Sequence, residues 1–277
     1  MRTLDGKVVA ITGAASGIGR ALAVDVGGRG ALLALSDVDG DGLAETAGLA
    51  AAAGAREVRT DWLDVADRRA FGAYADAVAD HFGRVNVVVN NAGVSLSGDL
   101  LELEYDDLDW IVGINFWGVV HGTKAFLPHL IASGDGHVVN LSSLFGLISV
   151  GGQSAYNATK FAVRGMSEAL RQEMIAAGHP VGVTVVHPGG IKTGIARNGR
   201  VAAGIDKAET AALFDEKLAT MEPSRAAAII VKGVLAGKPR VLVGLDAHAL
   251  HHFARLSGAR YQDVLARVSS RTRPARV

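Results

Sequence analysis

The chain has 277 residues, of which 49% are apolar and 20% charged, and its 28 Lys and Arg balance 28 Asp and Glu. This composition excludes a disordered chain, and zero net charge argues against a surface dedicated to nucleic acid. The absence of Cys excludes disulfides, thiol nucleophiles and Cys-ligated zinc or iron–sulfur sites. Glycine is abundant instead, with 35 residues, about 13% of the chain against a usual level of roughly 7%.

Short apolar segments rich in Val and Ile alternate along the chain with longer segments of helical periodicity. Near-continuous apolar character is typical of strands that are buried on both faces, as in parallel sheets. The alternation predicts one α/β domain in which a doubly wound, Rossmann-type parallel sheet carries helices on both faces. The predicted strands are 8–12, 32–36, 57–60, 85–89, 137–141, 181–186 and 241–243, and the predicted helices are 17–28, 42–53, 68–82, 108–131, 155–176 and 225–235.

A glycine-rich loop directly follows the first predicted strand and runs into the first predicted helix. Gly13 permits a tight turn, Gly17 lets backbone amides approach a pyrophosphate, and Gly19 lets the helix pack closely on the sheet. The helix N-terminus then supplies amide donors and a positive dipole end for the anion. A ligand-free turn has similar composition, but the position after the first strand favours dinucleotide binding.

Asp37 follows the second predicted strand, about 20 residues beyond the glycine loop. A carboxylate at this position can accept hydrogen bonds from an adenosine ribose and repels a 2′-phosphate. No Lys or Arg stands at 16, 36 or 38 to neutralise such a phosphate, so we predict NAD(H) rather than NADP(H). The alternative role of Asp37 is a turn or helix cap, which Asp39 can also provide.

Polar segments also follow the third and fourth predicted strands, at Asp64-Val65 and at Asn90-Asn91-Ala92-Gly93. Ligands of open α/β sheets bind at the carboxyl ends of strands, so both segments are candidates for cofactor contact. Asn side chains at such positions also satisfy loop backbone groups, so neither segment is decisive alone.

Tyr156 and Lys160 are four residues apart and therefore share one face of a predicted helix. A Tyr phenol titrates near about 10, and we expect the ammonium of Lys160 to lower the pKa of Tyr156 so that it can exchange protons. Ser143 can donate a hydrogen bond to the substrate oxygen with which Tyr156 would exchange a proton. Asn115 could hold a helix kink or a water that relays protons. A Tyr-x-x-x-Lys pair on a surface helix is common and usually inert.

Taken in order, these segments resemble the short-chain dehydrogenase/reductase family from about Lys7 to Thr193. The resemblance implies a single Rossmann domain with a seven-stranded parallel sheet. The three-residue gap between Gly13 and Gly17 is similar to that of the single-domain branch. The matching pieces are Thr12-Gly13-x-x-x-Gly17-Ile18-Gly19, Asp64-Val65, Asn90-Asn91-Ala92-Gly93, Asn115, Ser143, Tyr156-x-x-x-Lys160 and Pro188-Gly189.

The resemblance also implies an NAD(H)-dependent oxidoreductase that interconverts a secondary alcohol and a ketone. It makes Tyr156 the general acid/base and has Lys160 lower its pKa and hold the nicotinamide ribose. Ser143 would polarise the carbonyl, and Asn115 would anchor the proton relay. The cofactor-binding residues that it implies are Gly13, Ser16, Gly17, Ile18, Gly19, Asp37, Asp64, Val65, Asn91, Ala92, Gly93, Tyr156, Lys160, Pro188, Gly189, Ile191 and Thr193.

Residues 193–223 follow the Pro188-Gly189 turn, where the resemblance implies that the nicotinamide is held. They are helical in parts and contain several glycines. We expect a lid over the substrate there, and the alternative is an ordinary helical excursion. Apolar side chains that follow Ser143, and one within 193–223, suggest a lipophilic substrate, although they could equally belong to the core. These side chains are Phe145, Leu147, Ile148, Val150 and Phe214.

The C-terminal extension, residues 246–277, carries six Arg and two Asp and continues beyond the family's common end. We expect a solvated tail or a subunit contact rather than a membrane anchor, because its apolar stripe is modest. His248, His251 and His252 fall on one helical face. No carboxylate or fourth ligand accompanies them, so we predict no metal.

No secretory or membrane-spanning segment is apparent, so we expect a cytoplasmic protein without membrane or nucleic-acid partners. The expected partner is a small alcohol or ketone, and the expected assembly is a homodimer or homotetramer. One alternative function is a non-catalytic nucleotide-binding regulator or scaffold, a class that typically loses the Tyr or Lys. Another is a redox-neutral lyase or epimerase, which the glycine spacing disfavours.

Overall fold

In the computed structural model of this protein, which describes residues 1–269, nine strands form two parallel sheets. The larger sheet has seven strands, and the remaining two strands form a short separate pair. The strands are β1 (Val8–Thr12), β2 (Leu32–Asp37), β3 (Glu57–Trp62), β4 (Val87–Asn90), β5 (Leu96–Ser97), β6 (Gly136–Leu141), β7 (Val181–Pro188), β8 (Arg200–Val201) and β9 (Arg240–Val243).

The strand order of the larger sheet is β3-β2-β1-β4-β6-β7-β9, and every neighbouring pair is parallel. The order reverses beside β1, where a doubly wound sheet opens a crevice at the carboxyl ends of its strands. This arrangement confirms the predicted α/β fold. The predicted strands are also confirmed, with ends shifted by a few residues.

The fourth strand shows why an end shifts. It was expected from Val85 but begins at Val87. The Asn86 side chain accepts a hydrogen bond from the Val8 amide through Oδ1, at 3.1 Å, so a side chain replaces the backbone acceptor there. From Val87 onward the strand is fully buried, as expected for a central parallel strand.

Helices cover both faces of the sheet, with one apolar core under each layer. The first, second and eighth helices pack over one core, and the third, fifth and sixth helices pack over the other. The helices are α1 (Gly17–Gly27), α2 (Gly40–Ala53), α3 (Arg68–Phe82), α4 (Tyr105–Val112), α5 (Gly118–Ala132), α6 (Ser154–Ala176), α7 (Lys207–Leu213), α8 (Pro223–Leu235), α9 (Leu245–Ser257) and α10 (Tyr261–Ser269).

The long helix predicted over 108–131 is not continuous. A π-helical turn, Gly113–Trp117, separates α4 from α5 and inserts one extra residue per turn into the helical path. Asn115 lies in this turn and is fully buried. The break therefore occurs at one of the predicted site residues.

The C-terminal extension folds back onto the domain, and this corrects the prediction of a solvated tail for its described part. Ala247 of α9 packs against Leu144 and Ile148, which lie in the loop after β6. The hydroxyl of Tyr261 accepts a hydrogen bond from the Ser149 amide at 3.0 Å. Residues 270–277, which hold three of the six Arg of this extension, lie outside the described residues.

Within residues 1–269, no helix combines the length and apolar character needed to cross a membrane.

Candidate active site

A cavity of about 910 Å³ opens at the carboxyl ends of the strands, where the strand order reverses. It runs from the glycine loop after β1, past the end of β6, to the segment that contains α7. All of the predicted site residues line it except Gly19 and Asn115. The sequence therefore predicted most of the residues that the fold brings together here.

The glycine loop has the conformation that its sequence requires. Gly13 and Gly17 have φ angles of +65° and +54°, a region that other residues rarely adopt. A Cβ at Gly19 would overlap the carbonyl oxygen of Gly13, so α1 can approach the loop only because this residue is glycine. Ser16 precedes α1 without a side-chain cap, which leaves the first amides of the helix directed toward the cavity.

Two loops are locked together beside this turn. The Asn91 side chain donates from Nδ2 to the carbonyl oxygens of Thr12 (2.9 Å) and Gly13 (3.0 Å). In return, Thr12 Oγ1 accepts hydrogen bonds from the amides of Asn91 and Ala92, each at 3.1 Å. Asn91 thus holds the loop in shape, and Thr12 is a supporting residue that we did not include among the predicted site residues.

Asp37 is fixed at the end of β2 by backbone donors. Its carboxylate accepts hydrogen bonds from the amides of Ala15 (2.9 Å), Val38 (2.8 Å) and Asp39 (3.1 Å). These bonds connect it to the glycine loop and still leave it in the cavity wall. Asp39 provides the side-chain cap of α2, so the two carboxylates have separate roles.

The strand ends on either side complete this part of the cavity. Asp64, just after β3, accepts a hydrogen bond from the Ala66 amide at 2.9 Å and lines the cavity together with Val65. Across the crevice, the Thr193 methyl group lies close to Gly17, so the turn after β7 touches the glycine loop.

Ser143 and Tyr156 meet at the centre of the cavity. Ser143 lies near the start of the loop after β6, and its side chain interacts with that of Tyr156, in the first turn of α6. Ser143 Oγ also accepts the Phe145 amide at 3.1 Å, which leaves the serine hydrogen available for donation to an oxygen. The Phe145 ring packs edge-on against Tyr156, with centroids 6.1 Å apart.

Lys160 lies one helical turn after Tyr156 and is buried. Its Nζ is 5.5 Å from the centroid of the Tyr156 ring and donates a hydrogen bond to the Leu141 carbonyl at 3.2 Å. Ser142 Oγ donates to the Lys160 carbonyl at 2.8 Å, so β6 and α6 are joined at this point. The lysine is thus held over the ring of Tyr156.

The expected lowering of the Tyr156 pKa is wrong for the protein alone. Burial raises the pKa of Tyr156 to about 12, and the hydrogen bond from Ser143 offsets only part of that rise. Burial also lowers the pKa of Lys160 to about 8. Both effects have one cause, because an apolar environment penalises the charged form of either group.

Asn115 does not line the cavity but is hydrogen-bonded to residues next to it. Its Oδ1 accepts the Val94 amide at 2.8 Å, and its Nδ2 donates to the Val94 carbonyl at 2.9 Å and to Thr159 Oγ1 at 3.4 Å. A Cβ at Gly93 would lie 3.2 Å from Asn115 Oδ1 and 3.4 Å from Lys160 Nζ. The π-helical turn therefore brings this amide close to the lysine without exposing it to the cavity.

The turn after β7, from Pro188 to Thr193, is held from two sides. The Gly190 amide donates to Asp246 Oδ2 at 2.7 Å, and the Gly190 carbonyl accepts hydrogen bonds from the amides of Thr220 (3.1 Å) and Met221 (3.2 Å). Sequence reasoning missed Asp246. The available signal was an acidic residue directly after the last predicted strand.

The other end of the cavity is mainly apolar. β5 and β8 pair there and connect the base of the α7 segment to the loop after β4, and the Ser95 hydroxyl donates to the Ile195 carbonyl at 2.9 Å. Leu147 and Ile148, expected as pocket residues, do not line the cavity and are buried in the packing beneath it. The apolar lining residues are Val94, Leu144, Phe145, Val150, Ile195, Ile205, Leu213, Phe214, Leu218 and Leu250.

A sequence model of the family described as short chain dehydrogenase matches residues 7–203. The chain belongs to the short-chain dehydrogenase family. This confirms the resemblance found in the sequence, and the seven-stranded sheet is the one that the family implies.

Individual short-chain dehydrogenase relatives match nearly the whole chain. A protein of Mycobacterium tuberculosis (strain CDC 1551 / Oshkosh) named as an oxidoreductase, SadH, is 59% identical over 266 residues, which are 96% of each chain. The C alpha-dehydrogenase of Sphingobium sp. is 34% identical, covering 90% of this chain and 86% of its own. The crystal structure of a short chain dehydrogenase/reductase from Burkholderia phymatum in complex with NAD is 31% identical, with a TM-score of 0.86 and coverage of 95% and 97%.

As a short-chain dehydrogenase, the protein is an oxidoreductase of a family that uses a nicotinamide cofactor.

Proposed function

We propose that this short-chain dehydrogenase is an NAD(H)-dependent oxidoreductase that interconverts a lipophilic secondary alcohol and its ketone. The observation that carries the proposal is the placement of Ser143, Tyr156 and Lys160 together in the cavity wall, with Lys160 Nζ 5.5 Å from the centroid of the Tyr156 ring. These residues lie between a glycine loop suited to a pyrophosphate and a mainly apolar chamber. The site therefore offers proton exchange at the junction of a cofactor region and a substrate region.

The residues present fit a dinucleotide. A Cβ at Gly13 would lie 2.7 Å from the Ala92 Cα, so only glycine lets the loop after β1 approach the loop after β4 this closely. The adjacent amides at the start of α1 suit a diphosphate. We propose that these groups bind the pyrophosphate and that the turn 188–193 binds the nicotinamide.

The preference for NAD(H) over NADP(H) rests on Asp37. Three backbone amides orient its carboxylate at the end of β2, where it can accept hydrogen bonds from ribose hydroxyls. A 2′-phosphate there would meet a fixed negative charge. The cavity wall continues from it with Val38 and Asp39, neither of which is a cation. The solved Burkholderia phymatum relative is in complex with NAD.

For alcohol oxidation, a bound nicotinamide supplies the hydride acceptor. Tyr156 takes the hydroxyl proton of the substrate, and Ser143 donates its hydrogen bond to the same oxygen. Because burial favours the neutral phenol, Tyr156 must lose its own proton before it can accept that of the substrate. We propose that the nearby charge of Lys160 favours this loss. In ketone reduction the neutral phenol of Tyr156 already carries the proton that the product alcohol needs.

The substrate class follows from the chamber beyond Tyr156. Phe145, Val150 and Phe214 form part of its wall, and Leu250 adds a further apolar side chain from α9. Burial of apolar surface favours a lipophilic alcohol or ketone over a highly hydroxylated one. Two polar side chains of the lining, Ser97 and Gln153, are hydrogen-bonded to each other at 2.7 Å. Other polar side chains that line the cavity are Asp99, Glu102, Asn198, Thr210 and Lys217. We also propose that the segment 193–223, which contains α7, closes over such a substrate as a lid.

The experiment begins with direct titration of the purified protein with NAD+ and NADP+, followed by turnover on a panel of lipophilic secondary alcohols. We expect tighter binding of NAD+ and formation of NADH. Tyr156→Phe should lower kcat about a thousandfold with little change in the Kd for NAD+, because the substitution removes the hydroxyl that exchanges the proton and keeps the ring.

Tyr74→Phe is the matched control, since Tyr74 is buried and its hydroxyl donates to the Ala34 carbonyl at 3.2 Å, in the core rather than the cavity. It should retain full turnover. Tighter binding of NADP+ would contradict the cofactor assignment, and full turnover by Tyr156→Phe would contradict the acid/base role. Nucleotide binding without turnover on any alcohol or ketone would favour the regulatory alternative.

A further inference from the structure

A carboxylate from the C-terminal segment reaches the turn after β7. Asp246, in the first turn of α9, accepts a hydrogen bond from the Gly190 amide at 2.7 Å, across 56 positions of sequence. One residue earlier, the Gly189 amide donates to the Val243 carbonyl at 2.9 Å, at the end of β9. β9 and α9 both lie outside the residues 7–203 that the family model matches.

The chain leaves space for this carboxylate at two glycines. A Cβ at either Gly189 or Gly244 would overlap the carboxyl group of Asp246. Gly244 also has a φ of +108°, which other residues rarely adopt, and it directs the chain into α9. Asp246 itself lines the cavity together with Ile191 and Thr193. The carboxylate is therefore built into the turn and also faces the cavity.

Gly190 is held at both of its backbone groups. Asp246 binds its amide, while its carbonyl accepts hydrogen bonds from Thr220 and Met221, at the exit of the proposed lid. Two residues after Gly190, the amide of Lys192 donates a hydrogen bond to the Met221 carbonyl at 2.9 Å. Loss of the Asp246 contact would release one of the two sides that fix the turn.

We propose that Asp246 is a positioning residue for the nicotinamide end of the cofactor, an inference that rests on the proposed function. Its hydrogen bond to Gly190 fixes the turn that would hold the nicotinamide. Its negative charge in the cavity wall favours the cationic oxidised ring over the neutral reduced ring, because a cofactor that displaces water strengthens the attraction. Asp246 therefore tightens the binding of NAD+ more than that of NADH.

Two substitutions separate these effects. Asp246→Asn keeps an acceptor oxygen for Gly190 and removes the charge, whereas Asp246→Ala removes both. Isothermal titration of the full chain with NAD+ and with NADH, without substrate, measures each effect directly. For Asp246→Asn we expect the Kd of NAD+ to rise about fivefold and that of NADH to change less than about twofold. For Asp246→Ala we expect NADH to bind about tenfold more weakly and NAD+ about fiftyfold more weakly.

Asp80→Asn is the matched control, because Asp80 is exposed on α3 and does not line the cavity; both of its Kd values should equal those of the wild type. Wild-type affinities for both nucleotides in Asp246→Ala would overturn the positioning role. Equal weakening of NAD+ and NADH in Asp246→Asn would overturn the charge effect. If Asp246→Ala fails to fold, as judged by circular dichroism, the Asn variant still tests the charge effect, and Asp246→Ser, with its shorter side chain, replaces Asp246→Ala in the test of positioning. A wild-type protein that binds neither nucleotide would overturn the proposed function as well.

Discussion

The two ends of the cavity are formed by different kinds of chemical group. At the end proposed to bind the cofactor (the cofactor end), backbone groups and short polar side chains fix each other: Asp37 accepts hydrogen bonds from three amides, and Asn91 bridges two loops. At the end proposed to bind the substrate (the substrate end), apolar side chains from distant segments form most of the wall, among them Phe145, Phe214 and Leu250. The two regions meet at Ser143 and Tyr156.

This difference determines how each end tolerates change. A hydrogen-bonded backbone loop has one working geometry, and a single added methyl group can remove it. An apolar wall binds through its contact area and makes no directional hydrogen bonds, so a smaller side chain mainly changes which substrates fit. We therefore expect substitutions at the cofactor end to have large, general effects and those at the substrate end to have small, selective ones.

The largest effect is expected for Gly19→Ala at the cofactor end. Its Cβ would overlap the Gly13 carbonyl oxygen, so α1 or the glycine loop must move. We expect the Kd for NAD+ to rise about a hundredfold, equivalent to about 3 kcal/mol, the upper part of the range for overpacking. Calorimetric titration measures the change.

Gly72→Ala is the control for this substitution. Gly72 is also a helical glycine, in α3, and nothing lies within 4 Å of the position that its Cβ would occupy. We expect unchanged NAD+ binding and a gain of about 0.5–1 kcal/mol in the free energy of unfolding, because Ala is the better helix former. Similar affinities for NAD+ in both variants would remove the basis for the contrast between the two ends.

The next effect is expected at the junction, with Lys160→Met. In the folded chain, burial lowers the pKa of Lys160 from 10.5 to about 8, so the unfolded state binds more protons between these pH values. Wild-type stability therefore carries a cost below pH 8 that is relieved as the pH rises toward 10.5. Met does not titrate, so its stability relative to the wild type should fall by about 3 kcal/mol across this range.

Urea unfolding of both proteins at pH 7 and at pH 10.5 gives the difference directly, and an unchanged difference would contradict the proposed burial cost. Lys160→Met should also lose most turnover, because the assistance to Tyr156 disappears. A residue that costs stability and supports the reaction is expected where the two ends meet, and not within either end.

The sequence predicted the cofactor end well because its chemistry is local. Strand, glycine loop and helix follow each other directly, and Gly13, Gly17 and Asp37 are identified by position alone. The continuous apolar segments also predicted the parallel sheet, because a parallel strand buried on both faces has that pattern. A helix kink was one of the two roles considered for Asn115, but the helix was predicted as continuous because helical periodicity persists on both sides of the π-helical turn.

The substrate end was predicted poorly for a physical reason. An apolar side chain has the same appearance in a sequence whether it fills the core or lines a cavity, so the sequence left both roles open for Leu147 and Ile148, which the structure places in the core. The raised pKa of Tyr156 likewise depends on burial, which neighbouring residues in the sequence do not reveal. Asp246 and Leu250 reach the cavity only because α9 folds back.

The smallest effect is expected for Leu250→Ala at the substrate end. Leu250 lines the cavity from α9, and its loss should raise KM about fivefold for a bulky lipophilic alcohol while kcat and NAD+ binding stay within about twofold. Leu256→Ala, on the same helix, is the control because Leu256 is 89% exposed and does not line the cavity. A steady-state comparison of large and small alcohols measures the selectivity. Equal loss for every alcohol, or weaker NAD+ binding, would mean that this wall supports the cofactor end and that the two regions are not separable.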